Sequence, residues 1–119
     1  MESTIRRFRD LKVWQKGIEL VKEIYKTTKS FPKEELYGLS AQMRRASISI
    51  PSNISEGFRR AYSKEYKQFL RIALGSCAEL ETQMVIAKEL KYIDENKERE
   101  LLELIDHICR MIFNLERKL

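Results

Sequence analysis

The sequence predicts an all-α fold, an antiparallel up-down-up-down four-helix bundle with a proline-kinked second helix. Three observations carry this. Apolar residues recur three and four apart through four successive segments, the period of one face of an α-helix. Only short turns separate those segments, which makes neighbouring helices antiparallel. The 119 residues are 43% hydrophobic and 34% charged with two prolines and four glycines, the composition of a helical domain. That length makes residues 1–119 one domain, with a core that needs no disulfide or metal to hold it.

Residues 1–9 carry Arg6, Arg7 and Arg9 and are expected to be frayed or loosely docked. Asp10 suits the N-cap of a first helix running to about Lys29. Leu11, Trp14, Ile18, Val21 and Tyr25 form one apolar stripe, with Trp14 read as a core anchor. Val13, Gly17, Leu20 and Ile24 form a second stripe beside it, and a second stripe suggests a second packing surface.

Phe31–Glu35 makes the first turn, with Pro32 at an early helical position and Glu34 and Glu35 near the positive end of the helix dipole. The second segment reads Leu36, Leu39, Met43, Ala46, Ile50, Asn53 and Gly57, straight across Pro51. An internal proline removes one backbone hydrogen bond and crowds the carbonyl four residues back, here Ser47. The surrounding serines 47, 49, 52 and 55 and Asn53 are types that can satisfy freed backbone groups. The expectation is one long helix to about Arg60, kinked near Pro51. Its rival is two helices broken at Ile50, with Pro51 opening the second.

Ser63 is the expected N-cap of the third helix, with Glu65 in its first turn. The core face runs Tyr66, Phe69/Leu70, Ala73, Ser76/Cys77, Leu80, Gln83/Met84, Ala87 and Leu90. Gly75 inside a helix costs about 1 kcal/mol relative to alanine, so a close approach of the second helix is expected there. Asp94 caps the fourth helix, whose stripe is Leu101, Leu104/Ile105, Ile108, Ile112, Leu115 and Leu119, widened by Leu102, Cys109 and Phe113.

No catalytic constellation is legible. The single histidine, His107, stands alone near the stripe of the fourth helix, and the serines around Pro51 have no base beside them. There is no phosphate-binding loop and no dinucleotide fingerprint, so no cofactor is expected. Cys77 and Cys109 are read as reduced thiols packed on two helices, and two cysteines with one histidine do not make a metal site. Glu79 and Glu81 lack the Glu-x-x-His pairing of a di-metal bundle; Glu79 is expected to reach Arg44 or Arg45 and fix helix register. Asn53, polar on a core face, is expected to set register or oligomer state. With no signal peptide and no apolar run long enough to span a bilayer, a cytoplasmic protein without a membrane partner is expected.

Charge is the strongest functional lead. The net charge of +5 divides into +8 over residues 1–72 and −3 over residues 73–119. Lys64, Lys67 and Arg71 share one face of the third helix, Arg59 and Arg60 lie just before it, and Arg44 and Arg45 lie on the second helix. Tyr62 and Tyr66 interleave with them, a combination that suits base stacking over a phosphate track. A solubilising face paired with Glu56 and Glu65 is the competing reading.

The run Gln42-Met-Arg-Arg-Ala46, then Ser49-Ile-Pro-Ser-Asn-Ile54 and Glu56-Gly57, resembles the four-helix-bundle family of proteins encoded in 23S rRNA intervening sequences. The likeness extends to Asp10–Trp14, Phe31-Pro32, Tyr37-Gly38-Leu39, Gly75-Ser76 and Glu79–Gln83, in matching order. It implies a homo-oligomer in which five bundles close into a barrel. A divergent relative in that resemblance, the accessory protein of diversity-generating retroelements, binds nucleic acid and a reverse transcriptase. The resemblance therefore implies a non-enzymatic pentamer that binds RNA or DNA through repeated basic faces. The alternative is a scaffold that docks another protein.

Overall fold

The computed structural model describes residues 5–119. Four helices form where the apolar period predicts them: α1 over Lys12–Thr28, α2 over Leu39–Phe58, α3 over Ser63–Glu89 and α4 over Glu95–Arg117. Side-chain pairings fix their directions. Thr28 meets Arg44 while Gly17 meets Pro51, so α1 and α2 run oppositely. Ser49 meets Ser76 while Gly57 meets Phe69, so α2 and α3 do too. The 27 residues of α3 span roughly 40 Å at 1.5 Å per residue, which accounts for most of the 49 Å long axis.

The core is a single cluster contributed by all four helices. Leu20 and Ile24 of α1, Met43, Ile50 and Ile54 of α2, Leu70, Leu80 and Met84 of α3, and Leu101, Ile105, Ile108 and Ile112 of α4 are fully buried. On α3 the predicted face holds from Leu70 to Ala87, whereas Leu90 is exposed. On α1 the order of the two stripes is reversed. Val13, Gly17, Leu20 and Ile24 are the core, while Trp14, Ile18 and Val21 are half-buried and Tyr25 is exposed. Both stripes are apolar, and the one carrying the glycine wins because Gly17 lets α1 approach the buried Pro51 ring.

Asp94 caps α4 as expected, accepting from the Lys97 amide at 2.8 Å. Asp10 does not cap α1; it pairs with Arg7 at the edge of a 3-10 turn over Phe8–Asp10, and Leu11 takes the cap position. That turn docks rather than frays, through Phe8 against Trp14 with ring centroids 5.5 Å apart. Residues 1–4 of that segment lie outside the described residues. A second 3-10 turn, Lys33–Glu35, precedes α2. Lys91 ends α3 with φ 68°, and the Tyr92 amide reaches back to the Ala87 carbonyl at 2.9 Å, closing the helix end without a glycine.

α2 is one helix through Pro51, which removes the two-helix rival. The neighbouring hydroxyls do not repair the Ser47 carbonyl. Ser47 donates to the Arg44 carbonyl, Ser55 to the Ser52 carbonyl, and Ser49 bonds Ser76 on α3 at 2.7 Å. Asn53 is half-buried and donates to the carbonyl and hydroxyl of Ser49, so its amide supports the Ser49–Ser76 contact.

Gly75 does not mark the close approach of α2 expected there. It is exposed, and a Cβ there would meet nothing within 4 Å. The close approaches lie at Gly17 and Gly57. With no neighbour to accommodate, Gly75→Ala is expected to stabilise the protein by about 0.5–1 kcal/mol through helix propensity alone. Thermal unfolding checks this, and a lower melting temperature would mean that another surface packs on Gly75.

Candidate functional site

The α2–α3 turn gathers cations at one end of the bundle. α2 ends at Phe58, Arg59 and Arg60 follow, and Lys64 and Lys67 occupy the first turns of α3. Arg59 stacks over the Phe8 ring at 5.2 Å and Arg60 over the Phe69 ring at 4.7 Å. Such stacking orients a guanidinium while leaving its N–H groups free to bind. Among the described residues none of these four cations forms an ion pair, although Glu56 and Glu65 stand nearby in sequence. Tyr62 is exposed beside them. No side chain caps the start of α3, so its first free amides add positive potential at the same end.

The other expected cations do not join this cluster. Arg71 is held by Glu116 of α4 at 2.8 Å and is neutralised there. Arg44 lies 15 positions before Arg59, roughly 22 Å away along α2. Its Nε donates to the Thr28 hydroxyl at 2.9 Å and its guanidinium covers the Tyr25 ring. Arg45 is exposed on α2 with no ion-pair partner among the described residues. Tyr66 turns inward, its hydroxyl buried without a partner and pushed up to about 12 by burial. Glu79 is exposed, and neither it nor Glu81 pairs with Arg44 or Arg45, so it does not fix register. The platforms Phe8, Phe69, Tyr25 and Thr28 escape sequence reasoning because each lies far along the chain from the arginine it holds, or around a turn from it.

No metal-ligand cluster forms among the described residues. No group of three or more His, Cys, Asp or Glu side chains converges, and His107 is exposed. Cys77 and Cys109 meet across α3 and α4. The neighbouring Cys109 and burial push the Cys77 thiol above its ordinary range. No helix among the described residues is long and apolar enough to cross a membrane.

At the opposite end Glu35 ties two turns together. One carboxylate oxygen accepts from the Leu39 amide at 3.1 Å and the other from the Tyr92 hydroxyl at 2.8 Å. These bonds hold the Glu35 carboxyl below its ordinary 4.5. A lowered carboxyl contributes stability that is present above the unfolded value and lost as pH falls through the folded one. The melting temperature is therefore expected to fall on acidification below about pH 4.5, and less steeply in Glu35→Gln, as thermal unfolding at several pH values would show. Parallel curves for both proteins would contradict this.

Fold and site together define a four-helix bundle with a cationic end. The family model described as 23S rRNA-intervening sequence protein matches residues 9–114. This chain belongs to that family. It is also similar to the crystal structure, at 1.70 Å resolution, of a protein of unknown function from the S23 ribosomal protein family of Bacteroides thetaiotaomicron VPI-5482. The two share 21% identity over 87% of this chain and 97% of the other, with a TM-score of 0.78, a likeness of fold. No curated protein matches the chain.

Proposed function

We propose that this protein is a non-enzymatic, homo-oligomeric bundle that binds RNA or DNA through its cationic end, with little sequence preference. One observation supports this above the others: Arg59, Arg60, Lys64 and Lys67 cluster without ion-pair partners among the described residues, two of them oriented by aromatic rings. Cations placed this way displace counterions from a phosphate backbone, a contact that senses charge more than base identity. Arg44 and Arg45 lie outside that cluster, and Arg71 contributes least because Glu116 already holds it. Assembly into a ring, a pentamer by family resemblance, would repeat the patch and multiply weak contacts. The half-buried stripe of Trp14, Ile18 and Val21 on α1 and the exposed Phe113 on α4 are apolar surface available to such assembly.

The test is a titration of structured RNA and duplex DNA at low and high salt, run with a measurement of solution mass. Binding to either that weakens steeply with salt supports the reading. No binding by assembled protein at low salt would overturn it and leave a scaffold for another protein.

A further inference from the structure

Away from the cationic end, α1 and the start of α2 enclose a groove of about 600 Å³ lined by Lys22, Tyr25, Lys29 and Arg44. We infer that this groove is a binding site for a phosphoryl group, with Arg44 as its fork. Arg44 is fixed from two sides. Thr28, only 3% exposed, donates its hydroxyl proton to the Ile24 carbonyl at 2.7 Å and so presents oxygen to Arg44 Nε at 2.9 Å. Tyr25 lies under the guanidinium, 4.7 Å from ring centroid to carbon. That leaves the two terminal nitrogens oriented, and among the described residues no protein acceptor takes them. A planar fork held this way matches two oxygens of a phosphate.

The charge around the groove favours an anion. Glu19 and Glu23 also line it, but Lys16 and Lys26 pair with them at 3.2 and 3.7 Å. Lys22 and Lys29 have no ion-pair partner among the described residues, and they stand seven apart on α1, two turns along one face. Three cations thus remain uncompensated around one concave surface. Lysines add charge at long reach, whereas the tethered arginine adds geometry. The exposed part of Tyr25 can also cover whatever carries the phosphate. This site is separate from the cationic end and does not depend on nucleic acid binding there.

The test follows the arginine Nε–H signals and the backbone amides of residues 22–29 by NMR while inorganic phosphate is added, with chloride at equal ionic strength as control. A saturable shift of the Arg44 signal with phosphate and not with chloride is expected. Arg44→Lys keeps the charge but loses the fork and the Thr28 tether, and should weaken phosphate at least tenfold. The unchanged fold of that variant is checked by its remaining amide signals. Reversing Lys64 and Lys67 to glutamate should leave the phosphate shifts in place, which separates this site from the cationic end. Two oligonucleotides of one sequence, with a 5′-phosphate or a 5′-hydroxyl, identify the source. Preference for the phosphorylated strand at Arg44 points to a nucleic-acid end, and a response to inorganic phosphate without that preference points to a small phosphate compound. No saturable shift at millimolar phosphate, or full binding by Arg44→Lys, would overturn the inference.

Discussion

Gly57→Leu is expected to unfold well below the parent protein, by about 2–3 kcal/mol or roughly 8–15 °C. The last turn of α2 meets the first turns of α3 at this position. Even a Cβ on Gly57 would lie 2.9 Å from Phe69 Cβ and from Tyr66 Cδ1, and 3.2 Å from the Tyr66 carbonyl oxygen. Two of those three atoms belong to, or sit directly on, the α3 backbone, so no flexible side-chain end can swing aside. Alanine, which normally gains up to about 1 kcal/mol over glycine in a helix, should here lose stability as well. The contrast with Gly75→Ala is the informative result, because the two substitutions are chemically identical and should differ in sign. Calorimetry or denaturant titration of both reads it directly. A Gly57→Leu protein as stable as the parent would mean that α2 and α3 do not touch as described.

Reversing Arg59, Arg60, Lys64 and Lys67 to glutamate together is expected to reduce nucleic acid affinity by more than a hundredfold near 100 mM salt. Each lost phosphate contact removes about 0.7–0.9 from the slope of log affinity against log salt, so the slope should become shallower by roughly 3. Because the four side chains are exposed or half-buried, the helices should persist, as circular dichroism would confirm. Arg71→Gln is the matched control. Its partner Glu116 already offsets its charge, so its effect on affinity should be less than about twofold despite its place on the same helix. If Arg71→Gln cost as much per charge as the cluster, binding would follow net charge alone. An unchanged salt slope in the fourfold variant would remove the cationic end from the interface.

Those two glycines also show what one dimension conceals. The four helices, the Asp94 cap and the α3 core face from Leu70 to Ala87 follow from period and residue type, which act locally, and they are legible without a structure. The expected caps Asp10 and Ser63 give way to Leu11 and Tyr62. A helical glycine carries the same propensity cost wherever it stands, and only the neighbouring helix tells an idle one from one that makes room. Stripe choice on α1 fails for a related reason: Leu11–Tyr25 and Val13–Ile24 are equally apolar, and the packing of Gly17 on Pro51 decides between them. For the basic residues, type and helical face were readable but partnership was not. Arg71 finds Glu116 45 residues away, and Arg44 finds Thr28 across the α1–α2 turn. Charge read along the sequence therefore merges into one patch what the fold separates into an end cluster, a neutralised arginine and a tethered one.

The α1–α2 crossing bears on how such a chain can drift. Pro51 is buried against Gly17, where a Cβ would lie 3.2 Å from the Pro51 Cβ. A side chain at position 17 would press on the ring, and a smaller residue at position 51 leaves a gap while position 17 has no side chain. Each residue thus sets the cost of changing the other, and their substitutions are not additive. The crossing couples the two positions by geometry rather than by any chemical role of the proline itself.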